Sequence, residues 1–250
     1  MSLDLSYRLE AVGTDSSLRV YLLGSVAFES GLALQRALAY QVAGERHTGA
    51  LVLCEHAGLI TVGRHGGPAH LRCGPEELQA RRWRVRWVNR GGGCWLHLPG
   101  QLAVYPILAL DQLGLGVEAY LRRLQRVVID LLDDFGVRGT TRPGQPGVWV
   151  GNRLLAGVGV AVRDWVAYYG LALNINPDLA PYRLVQNGGP EDGPMTSLER
   201  ERHGPLRTSL VRERLLEHFT AAFPFERTAL FFNHPLLNRL APSGTLAARS

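Results

Sequence analysis

The sequence contains no lysine, and all 27 of its basic residues are therefore arginine. This absence excludes any mechanism that needs an internal lysine, whether as a nucleophile or as the charged partner of one. The basic residues outnumber 22 acidic ones and give a formal net charge of +5. A positive balance favours an acidic protein partner. Nucleic acid is not expected, because no dense basic run carries interleaved aromatic residues.

Cysteine is also scarce, with three residues at Cys54, Cys73 and Cys94 that show no paired spacing. This count argues against a disulfide framework and against a zinc site, and we expect neither a metal nor a cofactor. No apolar stretch approaches the roughly 20 residues that a bilayer span requires. The N-terminus lacks the pattern of a signal peptide, so we expect no membrane association and a cytoplasmic location.

Apolar residues recur at regular spacing and make up 46% of the chain, enough to bury a sizeable core. Strands and helices alternate without a strict rhythm, which predicts an α+β fold. Helices are predicted at 30–43 with Ser30 as N-cap, at 74–83, at 117–135 and at 209–223 with Ser209 as N-cap. Strands are predicted at 20–23, 50–56, 59–63, 84–90, 101–110 and 165–175, with a hairpin at 148–162 that turns at Gly151–Asn152.

Two stretches rich in Pro and Gly, 140–147 and 176–196, are predicted to be irregular. A long irregular segment in a compact domain is often functional. We expect one domain over residues 1–225 and a partly flexible C-terminal extension over residues 226–250.

Four segments in register carry a resemblance to a known family. They read LVLCEHAGLITVGRHGGPAHL (51–71), VNRGGGCWLHLPGQLAVYPI (88–107), GVWVGNRLLAGVGVAVRDWVAYYGLALNINPDL (147–179) and GPMTSLERE (193–201). The chain resembles the octanoyl-carrier-protein:protein octanoyltransferases, also called lipoate-protein ligase B. The resemblance implies the fold shared with biotin and lipoate ligases, a mixed and mostly antiparallel sheet flanked by helices.

The resemblance also implies a ligand and partners. The family moves an octanoyl group from acyl carrier protein to a lysine of a lipoyl domain, so a medium-chain acyl ligand and these acidic proteins are expected. It works through a cysteine thioester, with a lysine that lowers the pKa of the cysteine because an ammonium stabilises a thiolate.

The residues that match the family's acyl pocket lie in two of the four segments, 88–107 and 147–179. Glycines fit such a pocket because backbone must approach a linear chain closely. The expected binding residues are Arg90, Gly91, Gly92, Gly93, Trp95, His97, Gly157, Val158, Gly159, Gly170, Leu171 and Ala172.

The catalytic residues of the family do not carry over. Asn187 stands at the position of the cysteine, and Leu154 stands at the position of the lysine. The segment 88–107, which matches the signature loop of the family, also differs from the family pattern. Trp95 occupies a threonine position, and Leu98 replaces the glycine before the proline. We therefore expect a changed pocket and the loss of the standard thioester chemistry.

The sequence leaves several functions open. The first is a pseudoenzyme that binds an acyl or lipoyl-type group. The alternative is an active transferase with a changed mechanism, either with Cys94 as the nucleophile or by direct transfer with His97 as general base. An ATP-dependent ligase is disfavoured because it would need a lysine, and the planar guanidinium of Arg153 is not equivalent to an ammonium.

Overall fold

The computed structural model describes residues 15–186 and 193–240. Its helices are α1 (Phe28–Gly44), α2 (Pro75–Ala80), α3 (Val117–Asp134), α4 (Leu198–Arg202), α5 (Thr208–Ala222) and α6 (Pro235–Leu240). Its strands are β1 (Ser17–Ser25), β2 (Thr48–Glu55), β3 (Leu59–Val62), β4 (Arg84–Trp87), β5 (Cys94–His97), β6 (Gln101–Ala109), β7 (Thr140–Arg142), β8 (Gln145–Val150), β9 (Arg153–Arg163), β10 (Val166–Asn174) and β11 (Arg227–Phe231). Short 3-10 turns lie at Pro68–His70 and Ala180–Leu184.

Two sheets organise these elements. The larger has the order β11-β1-β2-β6-β10-β9-β8-β7, and the smaller has the order β4-β3-β5. In the larger sheet β1 pairs in parallel with β2 and β11. All the other neighbouring strands, in the order β2-β6-β10-β9-β8-β7, pair antiparallel. The predicted α+β fold with a mixed, mostly antiparallel sheet is confirmed.

The central strands are buried on both faces because helices cover the larger sheet from two sides. Along β2, Leu51 and Leu53 join the core formed with α3 and α5, whereas Val52 and Cys54 join the core formed with α1. This alternation follows from the two-residue period of a strand. The arrangement leaves β9 and β10 with a face that the smaller sheet approaches.

Three local predictions need correction. Helix α1 begins at Phe28 with Ala27 as N-cap, so Ser30 lies inside it. Helix α5 begins at Thr208 after Arg207, so Ser209 is not its cap. The stretch 140–147 is not irregular throughout, because most of it belongs to the β7–β8 hairpin, which turns through Gly144 at a φ of 71°. Glycine adopts this left-handed conformation without strain.

The first part of the predicted extension lies against the sheet. Strand β11 pairs with β1, and the ring of Phe231 stacks on Tyr21 with centroids 5.2 Å apart. Leu236 and Leu237 of α6 pack on the core beneath α1. Within the described residues, no helix has the length and apolar character needed to cross a bilayer.

Candidate functional site

A cavity of about 190 Å³ lies between the smaller sheet and strands β9 and β10. The turn of the β7–β8 hairpin and the first residue of α1, Phe28, also border it. Eleven of the twelve expected binding residues line this cavity. The exception is Gly91, whose N–H donates to the carbonyl oxygen of Val160 at 2.8 Å and ties the glycine loop to β9.

Two of the glycines are required by close contacts. A Cβ atom at Gly157 would lie 2.3 Å from the ring of Trp95, and one at Gly170 would lie 2.2 Å from the carbonyl oxygen of Val104. Both separations are far below van der Waals contact. Any side chain at these positions would displace either the indole or the strand β6 backbone.

One end of the cavity is apolar. Trp95, Trp149, Leu154 and Ala172 form a buried cluster there, and Met195 packs against it. The indole N–H of Trp95 donates to Oε1 of Gln101 at 3.3 Å, and the indole ring lies against Gly157 of β9. Among the described residues, the side chain of Leu154, at the family's lysine position, packs in a cluster of aromatic and aliphatic side chains and the thioether of Met195.

The other end of the cavity is polar and holds Arg90. Its Nη1 donates to the carbonyl oxygen of Gly91 at 2.9 Å, and its Nη2 donates to the carbonyl oxygen of Thr61 at 3.0 Å and to Thr61 Oγ1 at 2.7 Å. Burial lowers the pKa of Arg90 to about 10, since a charged group loses hydration there. The guanidinium is still protonated at neutral pH.

His97 lies beside Arg90 and is buried. Its Nε2 is 3.2 Å from Thr61 Oγ1, and its ring lies 5.7 Å from the ring of His56. Burial and then the nearby His56 and Arg90 hold the pKa of His97 well below its usual value, so the imidazole is neutral at pH 7. His56 is neutral for the same reason of burial, and its Nε2 lies 2.8 Å from the hydroxyl of Tyr105.

Cys94 borders the cavity, but its side chain packs in the core of the smaller sheet. Strand β5 alternates, so Trp95 and His97 face the cavity while Cys94 and Leu96 pack in the core of the smaller sheet. The Sγ atom of Cys94 lies 3.9 Å from the carbonyl oxygen of Gly67. Burial raises the pKa of this thiol, which is the opposite of what an attacking thiolate needs.

The remaining sequence candidates are Asn187 and Arg153. Asn187 lies outside the described residues. Arg153 is committed to a two-pronged ion pair with Glu201, with both N–O distances at 2.7 Å. Its guanidinium therefore does not replace the lysine that is missing at its neighbour, Leu154.

Sequence reasoning missed nine residues that border the cavity, namely Phe28, Thr61, His65, Tyr105, Gly144, Gln145, Pro146, Trp149 and Tyr169. Thr61 and Tyr105 lie inside apolar strands, where a buried hydroxyl usually has a specific partner. That signal was available in the sequence. Phe28 and Trp149 carried no comparable signal, since an aromatic residue in a helix or strand is usually core.

The fold is the one found in solved lipoate-protein ligases. Lipoate-protein ligase A bound with ATP matches with a TM-score of 0.69, covering 91% of this chain and 92% of that chain at 14% identity. A bi-partite lipoate protein ligase from Thermoplasma acidophilum matches with a TM-score of 0.64, covering 91% of each chain at 14% identity. At this identity the likeness shows a shared fold.

Sequence similarity then places the chain within a family. Residues 28–220 match the lipoyl protein ligase A/B catalytic domain. The Octanoyltransferase of Geobacter sp. (strain M21) is 40% identical over 199 residues, 79% of this chain and 93% of that protein. The Octanoyltransferase of Nitratidesulfovibrio vulgaris (strain Hildenborough) is 37% identical over 205 residues, 80% of this chain and 92% of that protein. The chain belongs to the lipoyl protein ligase A/B catalytic-domain family, and the predicted resemblance is confirmed.

Proposed function

We propose that this protein binds a medium-chain acyl or lipoyl-type group in its cavity and does not perform the cysteine–lysine thioester chemistry of the octanoyltransferases. It would then be a pseudoenzyme of lipoate metabolism. One observation carries the proposal, namely the cluster around Leu154 at the family's lysine position. A cavity lined by most of the residues that match the family's acyl pocket supports binding, and the apolar side chains around Leu154 argue against the family's chemistry.

Trp95 and Leu154 fit together as a pair of changes. The indole of Trp95 covers Gly157, and Leu154 packs in the same cluster. An ammonium at residue 154 would lie in a cluster whose described members carry no charge, and such burial costs several kcal/mol or forces the group to lose its proton. Reversing one change would therefore not restore the family's site.

The two alternative mechanisms gain no support from the geometry. Cys94 points away from the apolar end and has a raised pKa. His97 has a pKa so low that it would be a weak general base at neutral pH, and its Nε2 already lies within hydrogen-bond distance of Thr61 Oγ1.

An acidic partner protein is part of the proposal. A second groove is lined by Arg72, Arg183 and Arg200, and no aspartate or glutamate is among its described lining residues. Met195 borders this groove and also packs on the apolar cluster, so the two features adjoin. A positive surface next to the cavity suits acyl carrier protein or a lipoyl domain, both expected from the family resemblance.

The test uses the full chain and octanoyl-acyl carrier protein. After incubation, intact mass spectrometry reads covalent octanoylation, and a second assay reads transfer to a lipoyl domain. We expect no mass increase and no transfer, whereas an octanoyltransferase with its cysteine and lysine shows both in parallel. Binding of octanoyl compounds is measured separately by calorimetry and should be detectable.

Three outcomes would overturn the proposal. Transfer at the rate of the control enzyme would show an active transferase. A stable octanoyl adduct that disappears in Cys94→Ala would show a relocated nucleophile. Failure to bind any octanoyl or lipoyl compound would remove the ligand-binding role itself.

A further inference from the structure

Two consecutive tyrosines of β10 lie on the same side of the strand. The rings of Tyr168 and Tyr169 stack with centroids 5.3 Å apart and an angle of 30° between their planes. Successive side chains of a regular strand point to opposite faces, so regular geometry does not bring neighbouring rings together. The cause is Tyr169, whose φ of 57° lies in the left-handed region that a bulky residue rarely adopts. The backbone at Tyr169 is therefore strained and needs support from its surroundings.

Strand β6 does not provide that support. The pairing of β10 with β6 is interrupted between Ala167 and Leu171, and the register of the flanking pairs places Pro106 opposite Tyr169. Proline has no N–H and cannot donate to the neighbouring strand. Tyr169 instead donates its own N–H to helix α1, where Oε1 of Gln35 accepts it at 2.9 Å. A side chain of α1 thus replaces the strand partner.

Packing alone does not account for a glutamine at residue 35. The side chain of Gln35 is fully buried, and its Nε2 atom has no hydrogen-bond partner among the described residues. Burying an unpaired amide donor costs free energy, and an apolar side chain of similar size would avoid that cost. The acceptor atom, in contrast, is used by Tyr169. That hydrogen bond is therefore the reason for a polar side chain at this position.

The tyrosine pair is tied to the glycine loop, which begins at Asn89 and ends where β5 starts. Nδ2 of Asn89 donates to the hydroxyl of Tyr168 at 2.6 Å, and the backbone of Asn89 is hydrogen-bonded to the hydroxyl of Tyr169. Val160, the partner of Tyr169 on β9, accepts the N–H of Gly91 at 2.8 Å. Two connections therefore lead from Tyr169 to the loop that forms one wall of the cavity.

We infer that Gln35 is a positioning residue for this wall. It fixes the left-handed backbone at Tyr169, and the stacked tyrosines then hold the glycine loop at Asn89. Tyr169 borders the cavity and Gln35 does not, so Gln35 acts through Tyr169 and not by contact with a ligand. The consequence for a ligand rests on the proposed function, whereas the position of the loop does not.

The first experiment measures amide hydrogen exchange in the ligand-free protein. The reporters are the N–H groups of Arg64, His65 and Gly91, whose hydrogen bonds hold the glycine loop. Gln35→Met keeps the length of the side chain but removes the acceptor. Loss of this hydrogen bond should speed the exchange of the reporters roughly fivefold to tenfold relative to the amides of α3.

The matched control is Gln125→Met. Gln125 is a buried glutamine of α3 on the other face of the larger sheet, and its Nε2 donates to the carbonyl oxygen of Gly147 at 2.9 Å. This variant also loses one bond to the backbone, but the reporters should not change relative to the amides of α3. Equal acceleration of the reporters by both variants, or no acceleration by Gln35→Met, would overturn the inference.

The second experiment asks whether Gln35 acts through Tyr169. Tyr169→Gly removes both the ring and the strain, because glycine adopts the left-handed conformation readily. The reporters should exchange faster in this variant, and adding Gln35→Met should speed them no further. Additive effects of the two substitutions would overturn the inference.

Tyr169→Phe covers the case in which Gln35→Met does not fold. It keeps the ring and removes the hydroxyl that is bonded to Asn89. The reporters should again exchange faster than in the unmodified protein, and unchanged exchange in this variant would overturn the inference.

The third experiment measures the effect on a ligand. Dissociation constants of S-octanoyl-pantetheine are compared by calorimetry, and Gln35→Met should weaken binding roughly fivefold while Gln125→Met should not. Equal affinity in Gln35→Met and the unmodified protein would overturn the role of the positioned wall in binding. If the unmodified protein binds no octanoyl or lipoyl compound, the proposed function fails, and hydrogen exchange still decides whether Gln35 positions the loop.

Discussion

The two ends of the cavity differ in charge. At one end, the described members of the cluster around Trp95 and Leu154 carry no charge. At the other, Arg90 keeps its positive charge within a shell of neutral acceptors, and His97 is kept neutral beside it. Within one cavity, the position of the family's lysine is therefore apolar, while the charged Arg90 lies against Gly159, a few residues further along the same strand. Four changes, described from the largest expected effect to the smallest, test this difference between the two ends.

The largest effect is expected from Leu154→Lys at the apolar end. Burying an ammonium without a partner should lower the free energy of unfolding by about 4 kcal/mol at pH 7. Because the pKa of the lysine would be depressed in the folded state, the unfolded chain binds more protons, and the loss should shrink as the pH rises toward 10. Urea unfolding at several pH values measures this.

The matched control for that substitution is Leu154→Met. It keeps the volume and the apolar character, so a loss below about 1.5 kcal/mol is expected. If the lysine variant were as stable as the methionine variant, the apolar end would have a hidden polar partner.

Trp95→Ala comes next. Removing the indole opens a void beside Gly157 and should cost about 3 kcal/mol, the lower end of the range for such truncations, because one side of the ring already faces the cavity. The open space should also let longer acyl chains bind. Thermal or urea unfolding reads the first effect, and a chain-length series of fatty acids reads the second. An unchanged stability would mean that the ring packs loosely.

At the polar end, stability should fall on acidification. His97 has a folded pKa well below 6.5, so the unfolded state takes up its proton first as the pH decreases. Below pH 6.5 the loss should approach about 1.4 kcal/mol per pH unit for each such histidine. His97→Gln should reduce this slope, and substitutions of the exposed His47 should not. A slope identical in the His97→Gln protein would contradict a buried neutral imidazole.

The smallest effect is expected at Arg142, which lies over the outer face of Trp149 with its guanidinium carbon 4.1 Å from the ring centroid. Arg142→Gln removes this cation–π contact and should cost about 0.5–1 kcal/mol, as at other exposed sites. Arg142→Lys should retain part of it. If neither variant changed the free energy of unfolding, the contact between Arg142 and Trp149 would contribute nothing to stability.

The sequence predicted the fold and much of the site for different reasons. Four segments in register were enough for the fold, and the periodicity of 117–135 located α3 almost to the residue. The glycines and Leu154 fell where expected because they match family positions. The orientation of Cys94 could not be predicted, since it depends on which face of β5 turns to the cavity. The absence of an ion-pair partner for Arg90 among the described residues could not be predicted either, because it depends on groups brought together from distant strands.

The pairing of β11 with β1 has a consequence for how the chain folds. It joins the two ends of the described chain, and the bond from Glu226 to Ser16 spans 210 positions. Contacts of such long range form slowly, because the chain loses the entropy of loop closure before strand pairing gives any stabilisation. Until β11 is available, the outer edge of β1 has no strand partner in the larger sheet. The larger sheet can therefore be completed only after all its other strands have been synthesised.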